Sequence, residues 1–242
     1  MGETYHLRLR ASIRDWWATQ RTHHSFCRTL GRFFVVLWEF ARDSMPEQRR
    51  RRYGDIDYDW EYRVDTTSAT VTWRDRLVGG FQSPYQPTEP VLFREMLASL
   101  AINFSDFTFI DMGSGKGRVL LMASDWSFRR ILGVELLPEL HRIAMENLLK
   151  YRSNSQQCVE MQSICADARQ FVFPAEPTVL YLFNPLAEEG LRQLIGNLEL
   201  SIRRNPRVVY VLYHNPMLEH VFADSTVLKK MSGTHQYSVY RN

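Results

Sequence analysis

Only three cysteines, Cys27, Cys158 and Cys165, occur in 242 residues, and none lies in a CxxC pair or beside histidines at zinc spacing. A disulfide scaffold and a structural metal centre are therefore excluded, and a reducing, cytoplasmic setting is expected. Long apolar runs are also missing. The most apolar stretch near the start, Phe33 to Trp38, spans six residues and ends at Glu39, whereas a bilayer-crossing helix needs roughly 20. No short basic region leads into an apolar core and a small-residue cleavage site, so no secretory signal is expected. Lysine is scarce, four residues against 26 arginines. A GC-rich codon bias produces the same excess, so arginine preference alone is no evidence for phosphate recognition. What remains is ordinary globular composition, with 45% apolar, 24% charged and 13% aromatic residues, which excludes collagen-like, mucin-like and wholly disordered chains.

The net charge of +3 hides an uneven distribution: residues 1–52 carry eleven arginines against five acids, and residues 53–76 carry six acids against three arginines. In the first segment apolar residues recur at Ile13, Trp16, Trp17, Cys27, Leu30, Phe34, Leu37, Trp38 and Ala41, close to helical spacing. Two amphipathic helices broken around Thr22 to Ser25 are expected. They would pack their tryptophan stripe on the main domain; peripheral membrane contact or nucleic-acid binding is the alternative. The run Arg49 to Arg52 reads as a solvated linker. The stretch YGDIDYDWEYRVDTT that follows has no clear period and reads as a loop or lid, in which Asp57, Asp59 and Asp65 would be solvated or would attract a cationic acceptor. Three units result: a basic helical extension over 1–52, an acidic and aromatic lid or linker over 53–84, and a main domain over 85–242.

Strand and helix signals alternate through that domain. Phe107 to Asp111, Arg130 to Glu135, Val159 to Cys165, Thr178 to Phe183 and Arg207 to Tyr213 read as strands, and Arg118 to Trp126, Pro138 to Tyr151 and Glu188 to Arg203 as helices. Thr226 to Met231 and His235 to Tyr240 flank Ser-Gly-Thr and suit a terminal antiparallel hairpin. The pattern implies an α/β fold with a doubly wound, mostly parallel sheet.

Between the first strand and its helix lies FIDMGSGKGR, where glycines let the backbone turn sharply against a nucleotide-like ligand. It is not a Walker loop, because Ile110 stands where the first glycine belongs and Gly117 follows Lys116 in place of Ser or Thr. Nor is it the dinucleotide fingerprint, because the third glycine comes one residue early. Two acids follow at strand ends. Glu135 is placed to accept from both ribose hydroxyls of an adenosine. Asp167 is placed to accept from the adenine amine, with a backbone amide from Ala168. Either acid alone would equally serve a helix start.

Asp111-Met-Gly-Ser-Gly-Lys-Gly117, Glu135, Asp167 and Asn184-Pro185 together resemble the ordered motifs of class I S-adenosylmethionine methyltransferases, over roughly residues 85–240. The resemblance implies a seven-stranded, Rossmann-like methyltransferase fold and S-adenosylmethionine as cofactor. It places Asp111, Gly113, Ser114, Gly115 and Gly117 at the methionine part, Glu135 at the ribose, and Asp167 with Ala168 at adenine. Upstream, SPYQPTEP resembles the Tyr-x-Pro-Ser/Thr-x-Pro segment of seven-strand protein lysine methyltransferases. YRVDTTSATV resembles an Asp-Thr-Ser/Thr stretch of uncharacterised bacterial methyltransferases. Tyr85 and Thr88 are therefore candidates for substrate and cofactor contact, with ordering of a helix start as their plainer role.

Methyl transfer from a sulfonium needs alignment, water exclusion and charge dispersal, with no nucleophilic residue. Asn184 and Pro185 follow the fourth strand, where the family grips the acceptor. Leu186 and Ala187 replace the second proline and aromatic residue of DNA amino-methyltransferases, which disfavours base methylation. A protein amine is thus expected as acceptor, a small molecule second, and nucleic acid is not. A non-catalytic adenosine-binding module and a nicotinamide-dependent oxidoreductase are the rival readings. His214, after the fifth strand, could take a proton but is as readily a structural residue.

Overall fold

The computed structural model describes residues 13–14, 16–18, 20–21, 25–43, 56–67 and 87–242. Ahead of the sheet lie helices α1 (Phe26–Asp43) and α2 (Ile56–Tyr62), and α3 (Pro90–Ala98) leads into the main domain. There β1 (Thr108–Met112), α4 (Arg118–Ala123), β2 (Arg130–Glu135), α5 (Pro138–Lys150), β3 (Met161–Cys165), β4 (Thr178–Leu182), α6 (Glu188–Arg204) and β5 (Val209–His214) alternate. A short helix α7 (His220–Ala223) precedes the hairpin of β6 (Lys229–Gly233) and β7 (Tyr237–Arg241).

The seven strands form one sheet in the order β3-β2-β1-β4-β5-β7-β6, parallel except for β7, which runs antiparallel to β5 and β6. This is the doubly wound sheet that the alternating sequence pattern implies. β1 and β4 are buried along their whole length, as central parallel strands covered on both faces must be. Side-chain alternation sends Phe109 to a layer shared with Leu92, Phe93, Met96 and Leu97 of α3, and Ile110 and Met112 to the layer of Leu191, Leu194 and Leu198 of α6. The strand order reverses between β1 and β4, which opens a crevice at their carboxyl ends.

Several boundaries move for physical reasons. β3 begins at Met161 because Met161 N–H already donates to Val159 O in a turn. β5 begins at Val209 because the Arg207 guanidinium turns back to the Ser201 and Asn205 carbonyls at the end of α6. The hairpin turn falls one step beyond Ser-Gly-Thr, with Gly233 still in β6 and Thr234 N–H donating to Tyr237 O.

The stretch expected as a loop holds helix α2 instead. Asp57 and Asp59 sit in its first turn, where carboxylates suit the helix dipole. The Tyr58 and Tyr62 rings meet tilted at 4.7 Å, and Tyr62 meets Tyr151, just past the end of α5, at 5.2 Å. Arg63, at φ 55°, ends the helix. In α1, Phe33 packs against Trp16 and Trp17 at 6.1 Å each, while Phe26, Phe34 and Trp38 stay more than half exposed. Among the described residues no helix is long and apolar enough to cross a membrane. The expected break at Thr22 to Ser25 falls mostly, and the Arg49 to Arg52 run wholly, outside the described residues.

Leu198 is fully buried between α6 and the sheet. Leu198→Ala is expected to lower unfolding free energy by about 2–5 kcal/mol, read from the urea denaturation midpoint.

Candidate active site

The glycine turn lies in the crevice at the end of β1. Gly113, Gly115 and Gly117 all have positive φ, at 83°, 53° and 85°. Gly113 and Ser114 N–H donate to Val134 O of β2, and Gly117 N–H donates to Ser114 O, which folds the turn back on itself. A side chain at Gly113 would stand 2.7 Å from Pro185 Cβ, so this residue must be glycine for the turn and the Asn-Pro segment after β4 to touch. Gly133 in β2 serves the other side: a Cβ there would come within 2.7 Å of Ser114 Oγ. Gly133 was not singled out in the sequence, since an isolated strand glycine signals close approach without saying to what.

Asp111 ends β1 between Gly133 of β2 and Tyr181 of β4. Its carboxylate has no hydrogen-bond partner among the described residues. Burial, and then the nearby Glu135 charge, push its pKa well above the ordinary carboxylate value. Ser114 Oγ is likewise buried with no hydrogen-bond partner. By contrast, Glu135 accepts from Gly115 N–H through Oε2 and from Leu137 N–H through Oε1, both at 2.8 Å, so it holds the turn against the end of β2. Asp167 behaves as a cap: its carboxylate accepts from Arg169 N–H at 2.9 Å and from the Arg169 guanidinium at 2.6–3.0 Å. Burial alone would raise the Asp167 pKa, but the Arg169 bonds outweigh it and hold it low. Ala168 is buried just beyond.

The turn's cations face inward. The Lys116 side chain is 0% exposed, and its Nζ reaches Asp65 Oδ1 at 2.7 Å and Thr67 O at 2.6 Å. Arg118 Nε donates to Thr66 Oγ1 at 2.9 Å, and the guanidinium sits 4.6 Å from the Tyr58 ring centroid. Asp59 accepts from Thr66 and Thr67 N–H. Asp59 and Asp65 are thus engaged by the chain's own groups and do not act as solvated acids.

Beyond β4 and β5 two Asn-Pro turns face each other. Asn184 and Asn215 adopt left-handed φ of 44° and 48°, a region that asparagine tolerates better than most residues. Asn184 Nδ2 donates to Asn215 O at 2.7 Å, and Asn184 Oδ1 accepts from Tyr213 Oη at 2.8 Å. The carboxamide assigned to the acceptor therefore braces the two turns. Thr88 does not cap α3, whose N-cap is Glu89. Its buried Oγ1 instead pairs with Tyr181 Oη at 2.8 Å, and Tyr181 Oη pairs with His214 Nδ1 at 2.7 Å. His214 stacks on Phe183 at 3.9 Å, and burial lowers its pKa to about 4, so the ring is neutral at pH 7. Tyr181 carries no signal in the sequence because it looks like an ordinary strand residue. Tyr85 lies outside the described residues.

The assembled site is a crevice whose floor carries acidic and neutral polar groups. No family model matches the chain, and no curated protein matches it. Solved structures of similar fold include the ribosomal protein L11 methylase from Lactobacillus delbrueckii subsp. bulgaricus, at 16% identity and TM-score 0.43, covering 63% of this chain and 75% of that one. An RNA methyltransferase from Salinibacter ruber in complex with S-adenosyl-L-homocysteine is similar at 18% identity and TM-score 0.38, covering 64% and 91%. A dimethyladenosine transferase from Plasmodium falciparum is similar at 11% identity and TM-score 0.44, covering 64% and 61%.

A carboxylate with a raised folded-state pKa keeps its proton in the folded chain at a pH where the unfolded chain, with pKa near 3.9, has lost it. Stability therefore falls as pH rises above about 4 toward the folded value. Asp111→Asn removes that dependence. It is expected to raise Tm of the ligand-free protein at pH 8 by ~2–4 °C, the shift that about 1 kcal/mol makes at this size, with little effect at pH 4. Calorimetric melting across that range checks it.

Proposed function

We propose that the chain is an S-adenosylmethionine-dependent methyltransferase acting on an amine nitrogen, with a protein lysine as the preferred acceptor. One observation carries the cofactor reading: a buried, unpartnered Asp111 carboxylate stands beside Glu135 at the strand-order reversal, and the turn's lysine is already paired with Asp65. Such a site repels phosphates and suits an adenosine-linked ligand that carries positive charge, as the methionine ammonium and sulfonium do. A pyrophosphate cofactor would meet two acids and a lysine already engaged by Asp65, which disfavours the nicotinamide reading. The resident orphan groups fit the same ligand, since Asp111 accepts and Ser114 Oγ both donates and accepts.

When bound, the cofactor supplies a methyl group already activated by its sulfonium, so the chain's residues only bind, orient and exclude water. A cationic ligand facing Asp111 favours its ionised form and offsets part of the burial penalty. Glu135, by holding Gly115, keeps the turn close to β2, and the remaining lone pairs of its carboxylate would accept from the ribose hydroxyls. Pro185, packed on Gly113, links the cofactor turn to the acceptor side. There Phe183 and the neutral His214 form a stacked wall next to Asn184, apolar enough to favour an uncharged amine with its lone pair free. The narrower choice of lysine draws support from the Tyr85-Gln-Pro-Thr88 segment.

Calorimetry is expected to register tight binding of S-adenosylhomocysteine and none of NAD. Asp111→Ala and Glu135→Ala should each weaken the former by roughly 1–3 kcal/mol, the range for a lost hydrogen-bonded polar partner. Unchanged affinity in both variants would refute the cofactor assignment. Incubating cell lysate with methyl-labelled cofactor and fractionating the products should place label in protein. Label in metabolites or nucleic acid would overturn the lysine assignment, and no label at all would leave a binding module.

A further inference from the structure

The glycine turn does not stand alone: a segment some 50 residues earlier in the chain is keyed into it. We propose that Asp65 is a positioning residue of the cofactor turn, acting through Lys116, so that the strap of residues 57–67 is an integral part of the cofactor site. The inference rests on the cofactor reading above.

A turn with three glycines in left-handed backbone is the costliest kind to order, because glycine loses the most conformational freedom on folding. The backbone amides of Gly113, Ser114, Gly115 and Gly117 tie the turn to β2 and to itself. Lys116, midway between Gly115 and Gly117, supplies the anchor on the opposite side. Its ammonium bridges Asp65 Oδ1 and Thr67 O. Its carbonyl accepts from Asn147 Nδ2 at 2.9 Å. The same Asn147 nitrogen donates to Asp65 O at 2.8 Å, while Asn147 Oδ1 accepts from Asp65 N–H at 2.9 Å. Turn, strap and α5 thus meet at one fully buried asparagine. A second clamp follows one residue past the turn, where Arg118 meets Thr66 and lies 3.6 Å from Asp59.

An ion pair whose ammonium is buried is a poor source of stability, since desolvating Lys116 offsets much of the attraction, and the best attested use of such a pair is to fix one arrangement among several. That is the task here. With the turn prearranged, an incoming ligand need not order it, and affinity rises by the avoided cost. Pairing the lysine internally also leaves the acidic floor of the crevice uncompensated from this side, which keeps the site suited to a cation.

The test uses the full chain with Asp65→Asn, Asp65→Glu and Lys116→Met, read by S-adenosylhomocysteine calorimetry and by amide hydrogen exchange across residues 113–118 without ligand. Asp65→Asn and Lys116→Met are each expected to speed exchange of the turn and weaken binding about tenfold or more, and Asp65→Glu to restore most of both. A brace with no positioning role would lower Tm in all three but leave turn exchange and affinity unchanged, and that result overturns the proposal. Should Asp65→Asn fail to fold by leaving the buried ammonium unpaired, Lys116→Met decides, because the Asp65 side chain is 41% exposed and tolerates losing its partner. If the unmutated chain ignores S-adenosylhomocysteine while both variants still loosen the turn, the cofactor reading fails and the positioning role stands.

Discussion

Two carboxylates held at the ends of neighbouring parallel strands govern this molecule. Asp111 and Glu135 sit where β1 and β2 stop, one without a hydrogen-bond partner and the other tied to backbone amides. Burial and the nearby Glu135 charge disfavour the ionised form of Asp111, a penalty that a cation entering the site would lower. A buried carboxyl group without a hydrogen-bond partner is uncommon in proteins. The fully buried layers on both faces of β1 and β4 supply the rigidity that holds the acids in place.

Around that pair the backbone is arranged by close approaches. Gly113 lets Pro185 come against the turn, and Gly133 makes room for Ser114. Beyond β4 and β5 the contacts are of another kind, with two Asn-Pro turns in left-handed backbone braced by Tyr213 and a buried line of Thr88, Tyr181 and His214. Each polar group in that line satisfies the next, which is how hydroxyls and an imidazole persist among Phe93, Phe109 and Phe183. The turn after β1 and the Asn-Pro segment after β4 meet at Gly113 and Pro185.

The strap of residues 57–67 lies against the glycine turn. Residues 57–67 precede the alternating strands and look like an appendage, yet they carry Asp59, Asp65, Thr66 and Thr67 into contact with Lys116 and Arg118. Of the three acids read from sequence as solvated or as lures for a cationic substrate, Asp57 is exposed, whereas Asp59 and Asp65 lie against Arg118 and Lys116.

From the sequence by itself came the alternation of strands and helices, the position of the glycine turn, and the acids Asp111, Glu135 and Asp167 at strand ends. All of these follow from local rules: hydrophobic period, glycine backbone freedom, and the places where strands stop. Tertiary structure alone decided which of those groups are free to meet a ligand. It turned Asn184 toward Tyr213, made Thr88 a partner of Tyr181 rather than a cap, and drew helix α2 and the Lys116–Asp65 pair out of an aperiodic stretch. The reason is that a hydrogen bond between residues 50 or 90 positions apart leaves no periodic trace in the chain, and burial, which shifts Asp111 and His214, is a property of everything packed around a group.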